Sequence, residues 1–300
     1  MAIEGRKASA SAALKTAVAA RRAAVRRPKA AAITVAKAAA VPSAAALIVA
    51  HNQARRIAAT VRASRSIPGV DLVLVVDDGS LDNTQDLARK AGAVVVRQSH
   101  QRGRSVSIET GAAVIAMRDE EGAMPRAILL LEAGLGNNAT GAAPIVEAVL
   151  EQVADMAIAL ADGTSRSTGA SVGAARKAIA SLSGWSPMQP LSKVRCLTRE
   201  ALEAAFPLAR GAGLETAVTL DVIEAGLTVT EVPCELKHRP SRQAGKALTR
   251  ASQYRDVMMA ISARRIRLSL RSTQHAVEDA FHVASRSGTL KVRGGKKVKE

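Results

Sequence analysis

A chain of 300 residues that is 48% hydrophobic can build one α/β domain of roughly 200 residues with tails, or two small domains. Its 1% aromatic content leaves almost no stacking platform for single-stranded nucleic acid, and its two cysteines, Cys196 and Cys234, exclude a disulfide framework or a four-thiolate zinc site. The net charge of +17 is polarised: residues 1–40 carry nine Lys and Arg against one acid, residues 237–300 carry sixteen against four, and the middle stands at −3, which argues against a basic nucleic-acid-binding fold.

From Ala44 short apolar runs alternate with helical segments. Ala44–Ala50 (AAALIVA) reads as a buried strand, Gln53–Ser64 as a helix and Asp71–Val76 as a second strand. Asn83–Ala91 is predicted helical, Ala93–Arg97 a strand and Ser105–Arg118 a longer helix. Ala127–Leu131 (AILLL), the helix Ala142–Gln152 and the strand Asp155–Leu160 continue the pattern. Such alternation predicts a mainly parallel sheet covered by helices on both faces. Beyond a Gly/Ser/Thr-rich stretch, Asp162–Gly173, come a helix (Ala174–Leu182) and a turn around Gly184–Pro190. Leu214–Ala225 is predicted helical with Leu214, Val218, Val222 and Ala225 on one face, and Leu227–Leu236 alternates like a strand. Lys246–Leu270 reads as a long basic helix, and the terminal GGKKVKE as disordered.

The expected organisation is a basic Ala-rich flexible tail over 1–40, an α/β domain over 41–240, a basic C-terminal helix over 241–275 and a basic tail over 276–300. Residues 1–40 are Ala-, Arg- and Ser-rich and acid-poor, a composition that organelle transit peptides share. No uninterrupted run of 18 apolar residues is present, so no transmembrane helix is expected. Buried free thiols in a reducing compartment, and a cytoplasmic location, are the matching expectations.

In parallel sheets ligands sit beyond the carboxyl ends of the strands. The first strand end offers His51 and Asn52, and the second offers Asp77-Asp78-Gly79-Ser80-Leu81-Asp82-Asn83-Thr84. Asp82 or Asn83 as a helix cap and Gly79 as a turn account for part of this run. Adjacent Asp77 and Asp78 are left over, and carboxylates there suit ribose hydroxyls or a base N–H.

Three segments, IVAHNQARRI, VLVVDDGSLDNT and HQRGRSVSIETGA, resemble the start of a family 2 glycosyltransferase of GT-A (Rossmann-like) fold. The run from SPMQPLSKVR to VPCELKHRP resembles the acceptor-side region of bacterial members, polyprenyl-phosphate or phosphoglycerate sugar transferases, and the likeness covers residues 44–258. The resemblance implies transfer of a sugar from a nucleotide-diphosphate donor. Asp78 would contact the base or ribose with Asn52 and Asp77 beside it. Arg102 and Arg104 would face the base or diphosphate, a solvated loop being the alternative. Glu215 would be the catalytic base, giving inversion, although its place at a helix start also suits a plain dipole-stabilising acid. Lys193, Arg195 and Arg239 would bind a phosphorylated or polyprenyl-phosphate acceptor, and the basic helix would meet an anionic membrane as a peripheral contact.

Departures from the family pattern bear on the metal. Where the family places Asp-x-Asp to hold a divalent cation, this chain has Glu132-Ala133-Gly134. Glu132 and His238 are the remaining candidate ligands, which implies Mg or Mn bound weakly and only with the donor. Lys193 replaces a usual glycine, and Gln53 a usual Glu. The alternative reading is a catalytically weakened protein of the same fold that binds nucleotide-sugar or an anionic surface without turnover. A nucleic-acid partner has only electrostatics behind it.

Overall fold

The computed structural model describes residues 42–161, 167–236 and 249–267. Seven strands form one sheet: β1 (Ala44–Ala50), β2 (Val70–Asp77), β3 (Val94–Arg97), β4 (Ala127–Glu132), β5 (Met156–Ala161), β6 (Arg195–Leu197) and β7 (Val229–Cys234). Their order is β3-β2-β1-β4-β6-β5-β7, and only β6 runs antiparallel to its neighbours. The helices are α1 (Ile57–Arg65), α2 (Thr84–Lys90), α3 (Arg104–Ala116), α4 (Ala143–Leu150), α5 (Ala170–Ser183), α6 (Arg199–Ala204), α7 (Leu214–Glu224) and α8 (249–267). The predicted mainly parallel sheet flanked by helices, a GT-A arrangement, is what the chain adopts.

The strands are continuously apolar because both faces are covered. On β1, Ala44, Ala46 and Ile48 join Leu129, Leu131, Ile57 and Ile145 in one core cluster, while Ala45 and Leu47 join Leu74, Ile128, Ile108 and Val218 in the other. Fully burying each of these larger side chains stabilises by about 1.5–3 kcal/mol. Aromatic bulk is replaced by close approach: a Cβ at Gly111 on α3 would collide with the Leu47 side chain. Cys196 and Cys234 are buried free thiols, and burial pushes both up to about 12.

A third cluster lies outside the sheet, where Ala175 and Ile179 of α5 and Leu220 of α7 meet Val257 and Ile261 of α8. The predicted one-sided α7 buries residues on every side, Leu214, Val218 and Val222 toward the sheet and Leu220 toward α8. Asp221, buried on α7, accepts from Arg264 Nη2 at 2.7 Å and lies 3.4 Å from Arg267 Nη1.

The elements depart from prediction in places. β6 and α6 fall between the turn around Gly184–Pro190 and the helix at Leu214, where no element is predicted, since three residues starting with Arg195 are too few for alternation to show. α1 begins at Ile57 instead of Gln53, because residues 52–54 give their N–H groups to side chains of the β2 loop instead of starting a helix. The tails 1–40 and 276–300, the ends of the 241–275 segment, His238 and Arg239 lie outside the described residues.

Candidate functional site

The carboxyl ends of β1, β2 and β4 converge on one edge of the sheet, and their loops are sewn together. Asn52, at φ +52°, donates its N–H to Ser80 Oγ at 2.9 Å and accepts from Leu81 N at 2.9 Å. Gln53 N–H donates to Thr84 Oγ1 and Ala54 N–H to Asp82 Oδ2. Asp82 also accepts from the Thr84 N–H and hydroxyl. Slight burial opposes the shift, but these bonds hold its carboxyl below the usual value. The predicted cap is therefore Asp82; the Asn83 side chain makes no cap bond. Gly79 turns at φ +72°, and a Cβ there would strike the His100–Gln101 backbone.

Asp77 and Asp78 are both buried at the end of β2. Asp77 Oδ1 accepts from Ser80 N and Oγ, while Oδ2 has no hydrogen-bond donor, with Arg97 Nε 3.8 Å away. Asp78 accepts the Arg102 N–H at 2.7 Å and the Gly103 N–H at 3.0 Å. Those two residues immediately precede α3, so Asp78 fixes where the helix starts and hence where Arg104 stands.

Arg104 links two ion pairs into one ladder. Its Nε faces Glu215 Oε1 at 3.4 Å, and its Nη2 donates to the Lys193 carbonyl oxygen at 3.0 Å. Lys193 Nζ reaches Glu132 Oε1 at 3.2 Å, at the end of β4. Glu215 is buried in the first turn of α7, and neither its Oε1 nor Arg104 Nε makes a geometrically good hydrogen bond. A void of about 10 Å³ adjoins the pair. On the other side of Lys193 opens a cleft of about 340 Å³, lined by Glu132, Leu135, Val172, Gln189, Lys193 and Leu236 among others.

Of the residues singled out in the sequence, the structure brings Arg104, Glu215, Lys193 and Glu132 into one chain of contacts, with Asn52, Asp77, Asp78 and Arg102 in the adjoining loops. Arg195 stands apart from the acceptor role expected of it. It is 2% exposed, and its guanidinium donates to the carbonyls of Ser192 and Glu215 and to Thr219 Oγ1. Burial pushes it down to about 10, against the pull of Glu215. Asp221, further along α7, is tied to α8 through Arg264. The hydroxyls of Ser80 and Thr84, which accept the Asn52 and Gln53 N–H groups, stand in the same DGSLDNT run but carry no charge to mark them in the sequence. The Lys193–Glu132 contact spans 61 positions and had no local signal.

For a divalent cation the described residues are a poor fit. Glu132 already faces an ammonium group, Gly134 has no side chain, and no cluster of three or more His, Cys, Asp or Glu among the described residues is placed to hold a metal. No helix among them is long and apolar enough to cross a membrane.

Comparisons with known proteins agree with this layout. Residues 45–116 match the model of glycosyl transferase family 2. Glycosyltransferase AglJ of Haloferax volcanii is 27% identical over 198 residues, covering 63% of this chain and 61% of that protein. An uncharacterized protein of Methanocaldococcus jannaschii, MJ1222, is 29% identical over 112 residues, 37% of this chain and 44% of its own. The chain thus spans less than two thirds of either relative. Glucosyl-3-phosphoglycerate synthase from Mycobacterium tuberculosis, solved with Mn2+, uridine diphosphate and phosphoglyceric acid, superposes with a TM-score of 0.58 at 20% identity, over 74% of this chain and 78% of that one. The same enzyme has been solved with Mg2+ and uridine diphosphate. Over β1 to α3 the chain thus matches the pattern of glycosyl transferase family 2, and the sheet order around that segment is the fold it shares with these structures.

Proposed function

We propose that this chain moves a sugar from a nucleotide-diphosphate donor to a phosphorylated or lipid-phosphate acceptor. The observation that carries the reading is the ladder Glu132–Lys193–Arg104–Glu215 at the strand ends, beside a cleft of about 340 Å³. Asn52, Asp77, Asp78 and Arg102 form the nucleotide end, with Asp78 acting foremost by fixing the loop. Arg104 faces the diphosphate. In the transfer the bond from the anomeric carbon to the β-phosphate oxygen breaks, and its electron pair leaves on the nucleoside diphosphate. The acceptor oxygen bonds the same carbon, and Glu215 takes the acceptor's proton. Arg239 serves the acceptor side, and Arg195 supports it from behind by holding the Ser192 carbonyl.

A divalent cation, Mg or Mn, would join this site only weakly and with the donor, held mainly by the diphosphate; Glu132, which already faces Lys193, and His238 are the residues the sequence offers it. The neighbours solved with phosphoglyceric acid support a small phosphorylated acceptor. The basic helix keeps a lipid-phosphate acceptor, and a peripheral contact from the cytoplasm, within the same reading.

Calorimetry with uridine- and guanosine-diphosphate sugars, followed by product detection with phosphoglyceric acid and with a polyprenyl phosphate, tests it. Binding of a donor and appearance of a glycosylated product are expected; no donor binding removes the nucleotide site. A second reading, donor binding without turnover, is favoured by Gly134, Gln53 and Lys193, the departures from the family pattern, and binding with no product from any acceptor would select it.

A further inference from the structure

Resting on the nucleotide-sugar reading, we propose that Lys193 is a resident counter-cation for the donor's diphosphate, filling with an ammonium group the charge role that Glu132 and Gly134 leave unserved for a metal. The ammonium lies 3.2 Å from Glu132 Oε1, at the end of β4 where the diphosphate is expected. An ammonium group carries three N–H donors, and a single ion-pair contact with Glu132 leaves donors for phosphate oxygens. Its side chain is 53% exposed and lines the cleft, so it reaches solvent and ligand alike.

The stem is held by a rigid backbone. Arg104 Nη2 takes the Lys193 carbonyl, Ser192 Oγ donates to the Ala159 carbonyl at 2.8 Å, and Arg195 grips the Ser192 carbonyl at 2.7 Å. Arg104 and Lys193 are thereby neighbours. Set against Glu132 and Glu215 they make the ladder neutral before a ligand arrives, without a divalent ion. Gly134 is not glycine for want of room: a Cβ there would have only Gln53 Oε1 within 4 Å, at 3.6 Å. The missing carboxylate suits a site whose cation carries one charge instead of two, since a second acid beside Glu132 would overcompensate a lysine. This assigns Lys193 to the donor phosphates instead of the acceptor.

The test measures equilibrium binding of uridine and guanosine diphosphates, and of the corresponding monophosphates, to the full chain in EDTA and in manganese. The wild type should bind a diphosphate in EDTA, and manganese should tighten it only slightly. Lys193→Met should lose about tenfold or more in EDTA, the loss of a charged hydrogen bond. Its monophosphate affinity should change far less, and Lys193→Arg should keep most of the diphosphate affinity. Lys193→Met should also gain a manganese response, because the ammonium that neutralises Glu132 is gone. Wild-type binding that requires manganese overturns the inference and leaves the nucleotide reading intact. So does a Lys193→Met variant with normal diphosphate binding that loses only phosphoglyceric acid, which would make Lys193 an acceptor residue. No binding of either diphosphate under any condition removes the nucleotide reading and this inference with it.

Discussion

Both carboxylate oxygens of Asp78 are held by backbone N–H groups of residues 102 and 103, so removing the carboxylate acts on the loop as well as on any ligand. Asp78→Ala should cost about 1 kcal/mol of stability, the loss of the hydrogen bonds that two partly buried N–H groups make to the carboxylate, and should weaken nucleotide binding. Thermal melts and calorimetry read the two effects separately; a lost affinity at an unchanged melting temperature would mean that Asp78 touches the ligand and does not hold the loop. Gly134 is the second informative position. With only Gln53 Oε1 near its missing Cβ, Gly134→Asp should be accommodated and place a second carboxylate beside Glu132. Manganese should then tighten nucleoside-diphosphate binding more than in the wild type, and a variant indifferent to manganese would show that the strand end is not a cation site at all. At this scale the acids were legible in the sequence, because adjacent Asp77 and Asp78 at a strand end need a reason. The partners were not: the loop N–H groups that hold Asp78 and the lysine that faces Glu132 come from 24 to 61 positions away.

Among the elements, β1, β2, β4 and β5 were readable because parallel strands buried on both faces leave unbroken apolar runs, and their ends agree with prediction to within a residue or two. β6 carries a buried arginine instead of an apolar run, so its role between β4 and β5 emerges only from pairing. α7 illustrates the same limit. Its predicted apolar face is real, yet Asp221 on the other side is buried under α8 and paired with Arg264, side chains only 2% and 7% exposed. Breaking a buried pair leaves an uncompensated charge and costs about 3–5 kcal/mol. Asp221→Ala should therefore destabilise strongly, whereas Asp221→Ala with Arg264→Met should recover part of the loss. Denaturant unfolding of the single and double variants checks this, and strictly additive effects would show that the two residues are not coupled.

At the scale of the whole molecule, charge is segregated, with a near-neutral region 41–236 between basic ends. α8 lies on that boundary, and its basic residues divide into two sets. Arg264 and Arg267 turn inward to Asp221 and are taken up by the fold. Arg250, Arg255 and Arg265 are exposed, beside the exposed Tyr254, Met259 and Ile266. The second set is the more exposed, so fewer charges of this helix are open to an anionic surface than its composition suggests. At about 1 kcal/mol for each arginine near an anionic leaflet, these three supply about 3 kcal/mol, or roughly a hundredfold in partitioning. Vesicles rich in anionic lipid should co-sediment the full chain at low salt and release it at high salt, because screening shortens the reach of exposed charges. Vesicles of neutral lipid should leave it in solution. The variant carrying Arg250→Glu, Arg255→Glu and Arg265→Glu, none of which is buried, should fold normally and lose most of the low-salt binding. Retention at high salt would instead assign the contact to Tyr254, Met259 and Ile266 entering the lipid. Undiminished binding by the triple variant would move the contact away from α8 altogether.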